Sequence, residues 1–121
     1  MIKKTITYTD YNGLERTEDF RFNLSESEIV EMEMTAEGGL VASMKQMSSK
    51  KDAPALMKTF KNIFLKSYGE ISPDGRRFMK SQEISDAFSQ TKAYDIIFLE
   101  LVHDAEKMSK FIDGIIGSED A

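Results

Sequence analysis

From Ile2 to Thr9 the chain alternates, with Ile2, Ile6 and Tyr8 on one side and Lys3, Thr5, Thr7 and Thr9 on the other. A period of two is the pattern of a strand with one buried face, and Thr and Tyr suit such a strand. Asp10-Tyr11-Asn12-Gly13 follows as turn chemistry, since Asn-Gly readily takes the positive φ angles of a tight hairpin. A second alternation then sets Phe20, Phe22 and Leu24 against Thr17, Asp19 and Arg21. Residues 2–24 are predicted to form a β-hairpin. Two strands alone are marginal in water, so the Ile/Phe face must lie on helices or on another chain's sheet edge.

Downstream the period lengthens. Ser25 and Glu28 form an S-x-x-E capping box, with Leu24 placed to staple onto Ile29. Val30-Glu31-Met32-Glu33-Met34 alternates like a strand, but the cap decides for a helix that Gly38-Gly39 breaks. Leu40, Val41, Met44 and Met47 mark one face of a second short helix. Asp52 caps a longer one with Pro54 in its first turn; Leu56, Met57, Phe60, Ile63, Phe64 and Tyr68 form its apolar stripe up to Gly69, opposite Lys58, Lys61 and Lys66. Ser72-Pro73-Asp74-Gly75 is a type I turn signal, and Arg76 to Lys80 a short extended piece. Ser81 caps a helix through Ile84, Ala87 and Phe88. Thr91 opens the next, with anchors Tyr94, Ile97, Phe98 and Leu101, and Ile96, Leu99 and Val102 filling its other sides. Asp104 starts the last, carrying Met108, Phe111, Ile112, Ile115 and Ile116. The expected fold is α+β and mostly α-helical: an N-terminal β-hairpin followed by five or six short helices over 25–116. It forms one domain across 1–121, with 117–121 as a flexible acidic tail.

Composition narrows the function classes. Eight Phe and four Tyr in 121 residues are enough to build a core. The absence of Cys excludes disulfides, thiol nucleophiles, zinc knuckles and iron–sulfur clusters, and a single His removes most metal and His-based catalytic sets. No enzyme, cofactor or metal is expected. No apolar run approaches the roughly 20 residues of a membrane span, and the N-terminus lacks the apolar stretch of a signal peptide, so a cytoplasmic location without membrane contact is expected. The net charge of −5 conceals blocks. Residues 1–24 are neutral and 25–40 hold five glutamates; 41–80 hold nine Lys/Arg against three acids, and 81–121 three Lys against nine acids. Such blocks either pair within the molecule, basic middle to acidic end, or face different partners; internal pairing is the expectation.

Candidate chemistry is sparse. His103-Asp104 is the only adjacent base and carboxylate and has no nucleophile to serve, so it is taken as a helix end meeting the next cap. Asp10-Tyr11-Asn12-Gly13 lacks the spacing of a calcium loop. Arg76 and Arg77, with the lysines of 45–80, could meet phosphates, but net charge and the lack of interleaved aromatics argue against nucleic acid; the arginine pair is expected to face the acidic C-terminal helices or a protein. Met is pliable and frequent on surfaces that fit varied apolar partners. Met44, Met47, Leu65, Arg76, Arg77, Ile96, Leu99 and Val102 are the candidate partner-binding residues. A two-strand hairpin and a helix apolar all round both invite cover, so a homo-oligomer stays open.

Three stretches carry a family resemblance: Ile6 to Gly13 running into Glu15 to Phe20; Lys66-Ser67-Tyr68-Gly69 through Ser72 to Phe78; and Phe88 to Tyr94 with Phe111-Ile112-Asp113-Gly114-Ile115-Ile116. In order and spacing the chain resembles the short tail assembly chaperones of long-tailed bacteriophages and prophages of Gram-positive hosts. The resemblance implies a non-enzymatic protein of the infected host cytoplasm. It would bind the long, helical, aggregation-prone tape measure protein, bring tail tube subunits to it, and be absent from the finished virion. The alternatives kept are a virion head–tail or tail completion protein and, behind it, a nucleic-acid-binding regulator using residues 41–80.

Overall fold

β1 (Ile2–Thr9) and β2 (Glu15–Phe22) pair antiparallel, Ile2 opposite Phe22 and Thr9 opposite Glu15, in a computed structural model that describes residues 1–35 and 53–116. The Asp10 N–H donates to the Leu14 carbonyl at 2.8 Å and closes a tip in which Gly13 takes φ +83°, a backbone conformation open to glycine. Asp10 fixes this tip. Its Oδ1 accepts from the backbone N–H groups of Asn12 and Leu14, and its Oδ2 from Arg16 Nε at 2.6 Å.

The hairpin is half of a larger sheet. β3 (Tyr68–Ile71) adds to β2, with Arg21 opposite Gly69, and β4 (Phe78–Met79) adds to β3, giving the antiparallel order β1-β2-β3-β4. The expectation of a lone hairpin followed only by helices is therefore corrected to a four-stranded sheet. Runs of four and two residues are too short to display an alternation. The helix expected to reach Gly69 also stops at Ser67, whose Oγ donates to the Phe64 carbonyl at 2.8 Å while its own carbonyl accepts from Asn23 N–H at 2.8 Å. The backbone is drawn off the helix into the ladder beside β2. Gly69 permits the approach of β4: a Cβ there would stand 2.7 Å from the Phe78 ring and 2.9 Å from the Met79 carbonyl oxygen. The expected turn joins β3 to β4, with Gly75 at φ +75°.

Five helices are described: α1 (Glu26–Thr35), α2 (Ala53–Ser67), α3 (Gln82–Ser89), α4 (Lys92–Val102) and α5 (Ala105–Ile115). The short helix expected over 40–47 lies outside the described residues, as does the tail. α1 is helical despite its strand-like alternation, because the capping box forms both ways: Ser25 N–H to Glu28 Oε1 at 2.9 Å and Glu28 N–H to Ser25 Oγ at 3.2 Å. Ser81, Thr91 and Asp104 each cap the helix they precede.

One face of the sheet, carrying Phe20 and Phe22, lies on the helices. Phe22 is wholly buried, stacked on Phe64 at 5.0 Å between ring centres and edge-on to Phe111 at 5.2 Å. Tyr68 stacks on Phe88 at 4.0 Å. Ile97, Leu101 and Ile115 complete the core. Met57, placed by periodicity on the apolar stripe of α2, is 44% exposed, four residues from the start of that helix and one turn before its buried ring Phe60. Among the described residues two ion pairs join the charge blocks by other routes than basic middle to acidic end. Lys80 of the basic middle meets Glu28 of the first acidic block at 2.8 Å, and Glu100 of the C-terminal block meets Lys4 of β1 at 3.1 Å.

Candidate partner-binding surface

α4 begins where Thr91 Oγ1 accepts from Tyr94 N–H at 3.1 Å and runs back along β1 from the hairpin tip. Lys92 Nζ lies 5.0 Å from the centre of the Tyr11 ring at one end, and Glu100 holds Lys4 toward the other. The helix buries Ala93, Tyr94, Ile97 and Leu101. At 100° per residue the opposite side carries Lys92, Asp95, Ile96, Leu99 and His103, all exposed. Ile96 (43% exposed) and Leu99 (48%) sit at i, i+3, the spacing that makes two side chains neighbours on a helix surface. Together they form an apolar strip rimmed by Lys92, Asp95 and His103, open to solvent among the described residues. The helix that composition alone marks as apolar all round is thus core on one side and uncovered on the other.

The remaining candidates among the described residues do not join this strip. Val102 is half-buried and packs on the core. Leu65 is also half-buried against the core, and it lines a separate groove of about 440 Å³ between α2 and α3 with Lys66, Lys80 and Glu28. Arg76 and Arg77 are exposed on the β3–β4 turn. That turn is held by Ser72 Oγ donating to Asp74 Oδ1 at 2.6 Å and by the backbone N–H groups of Arg76 and Arg77, which donate to Asp74 Oδ1 and Ser72 Oγ. The Arg77 guanidinium points to the sulfur of Met79 at 3.8 Å, and in the described structure neither arginine meets the acids of α4 or α5, contrary to expectation. Met44 and Met47 lie outside the described residues.

Periodicity also missed exposed apolar side chains. Val30 on α1 and Ile71 at the end of β3 are 55% and 44% exposed. Val30 stands beside the half-buried Ile29 and Met32 on a helix whose alternation hides its inner face, and Ile71 belongs to a strand too short to recognise. Tyr11 and Leu14 are more exposed still, at 74% and 58%, and their position at a hairpin tip is the signal that could have found them.

Electrostatics locks the frame around these surfaces. Burial pushes the Glu28 carboxyl up, but the Lys80 ammonium and the Ser25 groups outweigh it and hold it below its ordinary value. The Arg16 guanidinium, aided by the backbone N–H groups of the tip, holds Asp10 low. His103 and Asp104 are the end of α4 and the cap of α5, the latter accepting from Glu106 and Lys107 N–H at 3.0 and 3.1 Å.

No curated protein and no solved structure matches the chain. A family model described as phage tail assembly chaperone matches residues 1–119, nearly the whole of the sequence, and the chain belongs to the phage tail assembly chaperone family.

Proposed function

We propose that this chaperone works in the host cytoplasm by docking helical segments of the tape measure protein on the outer face of α4, keeping them soluble while tail tube subunits are brought to them. The observation that carries this reading is the pair Ile96 and Leu99, exposed side by side at helical spacing on an element whose other face is anchored in the core. A long amphipathic helix needs an apolar strip with a polar rim, and helix-on-helix docking reads anchors at i, i+3 and i+4. Half exposure of two aliphatic side chains is a modest patch. It suits a transient contact that must be released before the particle is finished. Leu65, Val102, Met44, Met47, Arg76 and Arg77 stay in the proposal as candidates for further contact with the tape measure or the tube protein.

Co-expression with the tape measure protein encoded downstream tests this. The wild-type chain is expected to co-purify with it and raise its soluble yield. The double variant Ile96→Asp, Leu99→Asp is expected to lose at least tenfold of the co-purified protein while keeping its own melting temperature within a few degrees, because neither side chain is core. Wild-type failure to co-purify would overturn the function, whereas an unaffected double variant would overturn only the site.

A further inference from the structure

β1 is the edge of the sheet: its one described neighbour is β2. The Asp10 N–H to Leu14 carbonyl bond fixes which residues face that neighbour. In an antiparallel ladder alternate residues turn both N–H and C=O to the same side, so with this register the even residues of β1 bond to β2 and the odd ones turn away. Lys3, Thr5, Thr7 and Thr9 therefore present their backbone donors and acceptors outward, with no described strand to receive them. A groove of about 630 Å³ follows this edge. Both odd and even residues of Ile2–Ile6 line it, so it runs along the edge rather than beneath the sheet. Lys107 and Lys110 of α5 line it too, with the almost fully buried Leu101 and Phe111 behind. Lys3, Lys4, Lys107 and Lys110 line it with one carboxylate, Glu100, which Lys4 and Lys107 share at 3.1 and 3.8 Å, while Lys110 lies 3.4 Å from Glu106 outside it.

We infer that this edge accepts an extended, acidic segment of a partner protein, which adds to the sheet as a strand outside β1. The backbone of the segment would bond to residues 3, 5, 7 and 9. Its acidic side chains would meet Lys3 on the open face and Lys4, Lys107 and Lys110 across the groove, and its apolar ones the half-buried Ile2 and Ile6. Strand addition draws affinity from main-chain bonds and specificity from the side chains on each face. The lysines also select the occupant. A second copy of the edge would bring them no acids, since Ile2–Thr9 carries two lysines and no carboxylate. The open peptide groups favour a polypeptide over a polyanion such as nucleic acid, which has no use for them. The site lies at the sheet edge, is independent of the α4 strip, and stands or falls separately from the proposed function.

The test is fluorescence anisotropy on the full chain with a labelled ten-residue peptide of alternating Glu and Val. A Lys-Val peptide serves as charge control, and a Glu-Val peptide N-methylated at alternate residues as control for backbone bonding. Wild type is expected to bind the Glu-Val peptide at least tenfold tighter than either control. Lys107→Glu with Lys110→Glu, both exposed, is expected to weaken binding at least tenfold. Thr5→Pro removes an outward N–H, a change edge strands tolerate, and is expected to do the same; should that variant misfold, the N-methylated peptide on wild-type protein asks the same question. Equal binding of the methylated peptide overturns strand addition. So does equal competition by a single-stranded oligonucleotide of matching charge, which assigns the lysines to phosphates. A dimer seen in sedimentation, with no peptide binding and with dissociation on Thr5→Pro, overturns it in favour of a second copy.

Discussion

Phe64 touches the rings of Phe22, Phe60, Phe88, Tyr94, Phe98 and Phe111, so a single side chain ties β2, α3, α4 and α5 to α2. Its burial is legible in the sequence, since it falls on the stripe of α2. The role of Gly69 is not, because nothing local says that a strand from farther along the chain will close over it. Gly69→Ala is expected to cost about 1–3 kcal/mol, as the added methyl meets a backbone oxygen that cannot rotate away; urea unfolding measures it, and a wild-type midpoint would show that β4 gives way freely. Tyr68 titrates late for a related reason. Burial first, then the nearby Glu70 and Glu18 carboxylates, push its hydroxyl up to about 12 from 10.0. The neutral form is the one the fold favours. Its contribution to stability is present in full below about pH 10 and is lost as pH rises through about 12. Tyr68→Phe is therefore expected to flatten the fall of melting temperature across that window, compared at each pH with wild type.

Among the elements, α1 shows local chemistry doing most of the work. The capping box is written in Ser25 and Glu28, yet only the folded chain brings Lys80, from beyond β4, to 2.8 Å from the Glu28 carboxylate and 2.6 Å from the Asn23 carbonyl. With its folded value below the ordinary one near 4.5, Glu28 stabilises the fold above that ordinary value and ceases to as pH falls through its lowered one. Melting temperature between pH 6 and pH 3 is expected to drop less in Lys80→Met than in wild type, the variant starting lower; equal slopes would remove the pair from the account. α4 is the opposite case. Its apolar residues are plain in the sequence, but which of them face solvent depends on β1 lying along one flank and the core behind it.

At the scale of the whole molecule the hairpin is structural rather than an appendage. Phe20 and Phe22 are core residues, Lys4 holds Glu100, and the N-terminal ammonium donates to the Gly114 carbonyl at 3.3 Å. A chain starting at Ser25 leaves Phe64, Tyr68, Phe88 and Phe111 uncovered. It is expected to lose cooperative unfolding by circular dichroism and to bind a hydrophobic dye; a sharp transition would show that the helices fold without the sheet. The sequence by itself determined the hairpin, the caps and starts of α1, α3, α4 and α5, the buried Phe60, Ile63 and Phe64 of α2, and the absence of thiols and of His-rich sets. These follow from side-chain period, cap residues and composition, all of which act within a few residues of one another. Only the tertiary structure decided the second half of the sheet, the ion-pair partners of Lys4 and Lys80, and the exposure of Ile96 and Leu99. Each of these depends on surfaces that meet across tens of residues, where packing and charge select the neighbour and local pattern does not.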